Sequence, residues 1–265
     1  MIPVKPKKSL GQHFLTDKNI ARKIVNSLTW QGYDKILEIG PGMGILTEIL
    51  LTMPAKEMRF VEIDRSSVEY LNQRFPIICD KIITADVLSV PLTNIYQEPF
   101  AIIGNFPYNI SSQLFFSILD FRNLVIETVC TIQKEVALRI ASKPGSKDYG
   151  ILSVLLQAFY DIEYLFSVPP QVFVPPPKVN SAVIRLKRNN TLNLGCDEIL
   201  FTRVVKTAFN QRRKTLRNSL KNLITEIDTH DSIWQKRPEQ LGVQDFVGLT
   251  RLIDNNTLKN LTRAI

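Results

Sequence analysis

From position 35 onward the chain alternates short apolar runs with amphipathic stretches. The runs at 35–39, 58–63, 81–84, 100–103 and 124–132 read as strands, and the stretches at 44–53, 66–75, 112–119 and 133–141 carry helical spacing. Such alternation at short intervals predicts a mostly parallel sheet covered by helices on both faces, an α/β fold. Ahead of it, Asp17 is placed to cap a helix running to about Leu28, with Ile20, Ile24, Val25 and Leu28 at helical spacing. Behind it, a polar loop at 143–150 precedes a helix near 151–158. The segment 168–177 holds five of the fifteen prolines and reads as an edge or a loop, because proline cannot donate to a sheet. A last strand is expected at 179–186. The polar run from Lys187 marks a boundary between a domain at 1–189 and a second at 190–265, in which no strand pattern remains. That second part predicts helices at 199–225, interrupted near Asn210, and shorter ones at 238–241 and 245–252.

Charge adds a partner class. Lys and Arg number 33 against 25 acids, a net charge of +8, which favours an anionic partner such as nucleic acid or a membrane surface. The window 203–221 alone carries Arg203, Lys206, Arg212, Arg213, Lys214, Arg217 and Lys221 and no acid. Residues 1–15 form a basic arm with no acid before Asp17. No apolar run reaches the 18 or so residues of a membrane span, and no secretory signal is visible. Cys79, Cys130 and Cys196 are scattered and odd in number, and His13 and His230 are the only histidines. A disulfide framework, a zinc site and Ser-His catalysis are therefore not indicated, no metal is expected, and a reducing, cytoplasmic setting follows.

The candidate chemistry lies at successive strand ends, where open parallel sheets bind ligands. Glu38-Ile39-Gly40-Pro41-Gly42-Met43-Gly44 turns the first strand into its helix. Its G-x-G-x-G spacing and Pro41, which withdraws an N–H, suit a cofactor without a pyrophosphate. S-adenosylmethionine, with no phosphate and a sulfonium, fits. Glu62, ending the next strand, is placed to accept from both ribose hydroxyls, with Asp64 two residues on as a competitor for the role. Asp86, ending the third, is placed to accept from an adenine amine, although alone it is as well read as a helix cap. The fourth strand ends in Asn105-Phe106-Pro107-Tyr108. There the Asn105 oxygen and a main-chain carbonyl near Phe106 or Pro107 are placed to accept from the amine of a flat base, while Tyr108 offers a stacking face. This is catalysis by positioning, without a strong base.

These four strand ends resemble class I S-adenosylmethionine-dependent adenine N6-methyltransferases, a Rossmann-like fold. The segments Ser9-Leu10-Gly11-Gln12-His13-Phe14-Leu15, Asp148-Tyr149-Gly150, Val172-Phe173-Val174-Pro175-Pro176-Pro177-Lys178-Val179 with Ser181-Ala182-Val183, and Phe209-Asn210-Gln211-Arg212-Arg213-Lys214-Thr215-Leu216-Arg217 narrow the likeness. Together they resemble the bacterial small-subunit (16S) rRNA adenine N6,N6-dimethyltransferases, the KsgA or RsmA family, over nearly the whole chain. The resemblance implies a catalytic domain at 1–189 and a small, all-helical, rRNA-binding domain at 190–265. It implies that Gln12, His13, Leu15, Glu38, Gly40, Gly42, Glu62, Ile63, Asp86, Val87 and Asn105 hold S-adenosylmethionine. Asn105, Pro107 and Tyr108 would form the catalytic motif, Tyr108 and Phe173 would stack on the flipped adenine, and Arg212, Arg213, Lys214 and Arg217 would meet RNA. The implied partner is the small ribosomal subunit or its precursor, met by a monomer. Two other readings stay open: a large-subunit (23S) rRNA methyltransferase of the macrolide-resistance type, and a nonenzymatic ribosome assembly or transcription factor on the same fold.

Overall fold

The structure, a computed structural model, describes residues 4–224 and 229–263, with side chains as far as 255. Residues 1–3 of the basic arm and Thr225, the end of the expected helical window, lie outside the described residues. The chain divides into two compact units, one of residues 1–137 and 161–188, the other of residues 138–160 and 189–265. The second unit thus draws on an internal stretch as well as on the chain after position 188.

The elements in chain order are β1 (Phe14–Leu15), α1 (Lys18–Val25), β2 (Lys35–Ile39), α2 (Ile45–Leu50), β3 (Glu57–Glu62), α3 (Arg65–Arg74), β4 (Ile82–Thr84), β5 (Phe100–Asn105), α4 (Ser111–Asp120), β6 (Val125–Gln133), α5 (Lys134–Ala141), α6 (Ile151–Gln157), β7 (Tyr160–Val168), β8 (Phe173–Val174), β9 (Ser181–Arg188), α7 (Glu198–Asn210), α8 (Leu216–Ser219) and α9 (Val243–Arg263). Seven strands form one sheet in the order β4-β3-β2-β5-β6-β9-β7. The run from β4 to β6 is parallel, and β9 pairs antiparallel with β6. The central strand β5 is apolar without alternation, as in a sheet covered on both faces; Phe100, Ala101, Ile102 and Ile103 are all fully buried.

Three features depart from the sequence pattern. The pattern assigns no strand to 160–168, where β7 lies. As an edge strand it is exposed or half-buried over most of its length, so its hydrophobic signal is weak. Inside the proline-rich segment, β8 pairs antiparallel with β1 in a two-stranded sheet, Leu15 opposite Phe173. In the second unit, the stretch expected as a short helix at 245–252 belongs to the 21-residue α9. That unit is helical among its described residues apart from the first residue of β7, and buries Phe209 between Tyr149 and Phe246, with ring centroids 6.3 and 5.9 Å away.

Two local details set up the site. Asp17 caps α1, accepting from the N–H groups of Asn19 and Ile20 at 2.8 and 3.0 Å. Gly104 lets β5 run tightly beside β2, since a Cβ there would overlap the Ile39 carbonyl oxygen. The next residue, Asn105, is therefore delivered close to the loop that follows β2.

Candidate active site

A cavity of about 270 Å³ lies in the first unit at the carboxyl ends of β2, β3, β4 and β5. Gln12, His13, Gly40, Gly42, Glu62, Ile63, Asp86, Val87, Asn105, Pro107 and Tyr108 all line it. The strand ends that the sequence marks as candidate chemistry are thus brought together.

The loop after β2 and the end of β3 are tied to each other. Gly42, with φ +57°, donates its N–H to Glu62 Oε2 at 3.0 Å, and the Asp64 N–H bonds to Oε1 at 2.9 Å. These two bonds fix the Glu62 carboxylate at the cavity wall. Burial pushes the Glu62 pKa up, against the pull of the backbone N–H groups of Asp64 and Gly42. Asp86 does cap a short 3-10 turn, Oδ1 accepting from Leu88 N–H at 3.0 Å, but it is exposed and its Oδ2 accepts no bond among the described residues. The cap reading and the ligand reading are therefore compatible, one oxygen for each.

At the end of β5, Asn105 Nδ2 donates to the His13 carbonyl at 2.7 Å. That acceptor decides which end of the amide is nitrogen, so Oδ1 is left without a partner among the described residues. Tyr108 is half-buried, its hydroxyl shares a 2.5 Å hydrogen bond with Ser181 Oγ, and burial raises its pKa. The His13 ring stacks on the Tyr108 ring at 5.5 Å and bonds through Nδ1 with the Pro175 carbonyl. Ser181, known from the sequence only as part of a motif, is thus what holds the Tyr108 ring in place. Among the described residues no cluster of three or more His, Cys, Asp or Glu could hold a metal.

Three expected residues lie elsewhere. Leu15 is buried away from the cavity while its neighbour Phe14 lines it, as successive strand residues face opposite sides. Glu38 sits behind the wall, 1% exposed, accepting from Thr47 Oγ1 at 2.7 Å; desolvation pushes its pKa to about 8. Contrary to the expected stacking on a base, Phe173 is 1% exposed and packs in the core with Leu15 and Val168. A lone aromatic among prolines usually fills a core, while Tyr108, Phe14 and Phe106 are aromatic residues on the cavity wall. Phe14 is one of the wall residues the sequence reading missed, and strand alternation at 14–15 is the signal that marks it.

The expected RNA-binding cations lie in the second unit. Arg213, Lys214 and Arg217 are exposed. Arg212 is half-buried, donates to the Ser146 carbonyl at 3.3 Å and lies 3.8 Å from Glu239, so it braces the 143–150 loop.

The sequence profile described as ribosomal RNA adenine dimethylase matches residues 4–239. The ribosomal RNA small subunit methyltransferase A of Cytophaga hutchinsonii is 55% identical over 255 residues, covering 96% of this chain and 99% of that relative. A solved dimethyladenosine transferase from Plasmodium falciparum superposes with a TM-score of 0.77 at 24% identity, over 92% of this chain and 98% of that one. The 23S rRNA methyltransferase ErmE gives a TM-score of 0.65 at 25% identity, over 91% of this chain and 99% of that one. The sheet, its helices and these neighbours make the fold that of the class I methyltransferases. With a profile match across most of its length and a relative of more than half identity end to end, the chain belongs to the ribosomal RNA adenine dimethylase family.

Proposed function

We propose that this enzyme transfers methyl groups from S-adenosylmethionine to N6 of two adjacent adenines in the 3′-terminal hairpin loop of 16S rRNA, giving N6,N6-dimethyladenosines during assembly of the small ribosomal subunit. The observation that carries the reading is Asn105. Its amide is oriented by the His13 carbonyl so that Oδ1 is unspent at the cavity, where an amine needs an acceptor.

The cavity fits the cofactor. Glu62 and Asp86 on its wall would accept from ribose hydroxyls and an adenine amine, and Gly40 and Gly42 would let the cofactor approach the backbone closely. When bound, S-adenosylmethionine supplies an electrophilic methyl group on sulfur. Asn105 Oδ1 and a main-chain carbonyl of the Asn-Phe-Pro-Tyr turn accept the two N–H bonds of the target amine, drawing its lone pair out of conjugation with the ring. Tyr108, held by Ser181, supports the base from one face. After the first methylation one N–H remains, and a single acceptor holds the amine for the second. As the N6–methyl bond forms and the methyl–sulfur bond breaks, the nitrogen becomes acidic and would release its proton to water, so no strongly basic side chain is needed.

In the second unit, exposed Arg213, Lys214 and Arg217 supply phosphate contacts, while Arg212 positions the loop beside them. Among the described residues no helix is long and apolar enough to cross a membrane; a ribosomal substrate would put the enzyme's work in the cytoplasm. The small-subunit reading over the large-subunit one is supported by the name of the 55% identical relative. The test incubates the protein with labelled cofactor and with ribosomal subunits lacking the modification, then maps the label. Label on two adjacent small-subunit adenines is expected; label on large-subunit RNA, or none, overturns the reading.

A further inference from the structure

The wall of the cavity nearest the amino terminus is built from residues 9–14. Between buried Val4 and buried Phe14 no side chain in this stretch is buried, and its one short turn, Lys8–Leu10, contributes none to the core. Hydrophobic packing therefore does not hold this roof down. Polar ties do: two meet at Asp64, and others join His13 to Pro175 and to Asn105.

Asp64 begins α3, two residues after Glu62, and its side chain is fully enclosed. As a helix cap it needs only one bond, from Ser66 N–H at 3.1 Å. It makes two more, both to the roof: Lys7 Nζ at 2.5 Å on Oδ1 and Gln12 Nε2 at 3.0 Å on Oδ2. Gln12 closes the ring by accepting from Lys7 N–H at 2.8 Å. Burial works against ionisation of Asp64, but the bonds from Lys7, Gln12 and Ser66 prevail and hold its carboxyl below the usual range. At its far end the same roof presents the His13 carbonyl that orients Asn105.

We propose that Asp64 is a positioning residue that latches the 5–13 roof over the cofactor cavity, so that latch closure sets cofactor affinity and holds the His13 carbonyl where it orients Asn105. The inference rests on the cofactor reading of the cavity given above. It assigns Asp64 neither to the ribose nor to a mere cap. A cofactor that binds only under a closed roof has its apparent affinity reduced by the fraction of molecules that are closed. Saturating cofactor pulls the roof shut again, so weakening the latch raises KM much more than it lowers kcat.

The test uses the full chain and the variants Asp64→Asn, Lys7→Met and Lys7→Arg. Asparagine still caps α3, which isolates the loss of the charge from the loss of the cap. Calorimetric titration with S-adenosylhomocysteine reads the latch without any RNA, so it remains informative even if the methyl acceptor is misassigned. Asp64→Asn should weaken this binding about 10-fold and Lys7→Met about 5-fold, with kcat for S-adenosylmethionine turnover falling less than about 3-fold. Lys7→Arg keeps the ion pair and should recover most of the affinity lost in Lys7→Met. The double variant Asp64→Asn/Lys7→Met should be no weaker than Asp64→Asn alone, as expected of two halves of one tie. In the ligand-free protein, amide exchange at Gln12 should quicken in Asp64→Asn while β5 stays protected. Unchanged S-adenosylhomocysteine affinity in both single variants, or additive losses in the double one, overturns the latch. Should Asp64→Asn fail to fold, Lys7→Met, a change at a half-exposed side chain, decides alone.

Discussion

The two ends of the same sheet both carry polar side chains in buried surroundings, and they are wired differently. At the amino end of β6, Glu127 is fully buried and Oε2 accepts three bonds from the chain itself: Thr29 N–H, Thr29 Oγ1 and Tyr33 OH at 3.0, 2.9 and 2.5 Å. Its other oxygen is enclosed, 3.9 Å from the Arg185 guanidinium, and accepts no hydrogen bond among the described residues. Burial and then the Glu127 hydrogen bond push the Tyr33 pKa well above the usual phenol range, so the hydroxyl stays a donor. At the carboxyl ends of β3, β4 and β5, by contrast, Glu62, Asp86 and Asn105 are each anchored by a subset of their atoms and present the remainder to a cavity. The lesson is that a buried or half-buried polar group is informative through its spare atoms. A carboxylate whose partners all belong to the chain is a fastener, and an amide with one oriented, unspent oxygen at a cavity is a tool.

Mutations should split the two ends cleanly. The largest effect is expected from Asn105→Ala, which removes the acceptor whose amide the His13 carbonyl orients. It should lower kcat about 1,000-fold while S-adenosylhomocysteine binding stays within about 3-fold by calorimetry. Retained turnover would remove Asn105 from the chemistry. Glu127→Ala should do the reverse. Leaving Tyr33, Thr29 and Arg185 without their shared partner should cost about 3 kcal/mol of stability in a denaturant titration, with cofactor affinity in the remaining folded protein unchanged. A loss of affinity there would mean that the fastener end is not independent of the site. Glu62→Ala lies between. Losing charge-assisted bonds to a ligand should weaken cofactor binding about 10- to 100-fold, and the unpaired Gly42 and Asp64 N–H groups should together cost about 2 kcal/mol of stability.

The tool end was the more legible of the two in the sequence. Continuous apolar runs fixed β2 to β6 because parallel strands are covered on both faces, and the glycine loop, Glu62, Asp86 and Asn105 stand where those runs stop. Several contacts could not be read in that way, because they join residues far apart in the chain. Glu127 meets Thr29 and Tyr33 across nearly a hundred positions, and Asp64 meets Lys7 across 57, so Lys7 reads only as one charge of a basic arm. The edge strand β7 hides because solvent reaches it and Asp161 and Glu163 break its apolar run. Which way a side chain turns at a strand end is equally silent in sequence. Leu15 faces the core where Phe14 faces the cavity, and Phe173 is enclosed by the pairing of β8 with β1, which proline spacing does not announce.

Glu38 tests the comparison most finely, since it lies at the tool end but is wired as a fastener, with Thr47 as its partner and no place on the cavity wall. Desolvation, with a smaller contribution from the nearby Glu62 charge, raises its pKa from 4.5 to about 8, so at neutral pH the folded protein holds a proton there that the unfolded chain has released. Between those two values the native state binds more protons than the unfolded state, and stability must therefore fall as pH rises through the window. For one group the slope approaches about 1.4 kcal/mol per pH unit at most. Glu38→Gln keeps a neutral side chain that accepts from Thr47 and removes the titration. In the ligand-free protein its denaturation midpoint should change little at pH 5 relative to the parent, and the variant should gain on the parent steadily towards pH 8. Parallel stability curves for the two proteins across that range would show that Glu38 is ionised in the fold. It would then be a buried anion behind the cavity wall, near the Glu62 carboxylate.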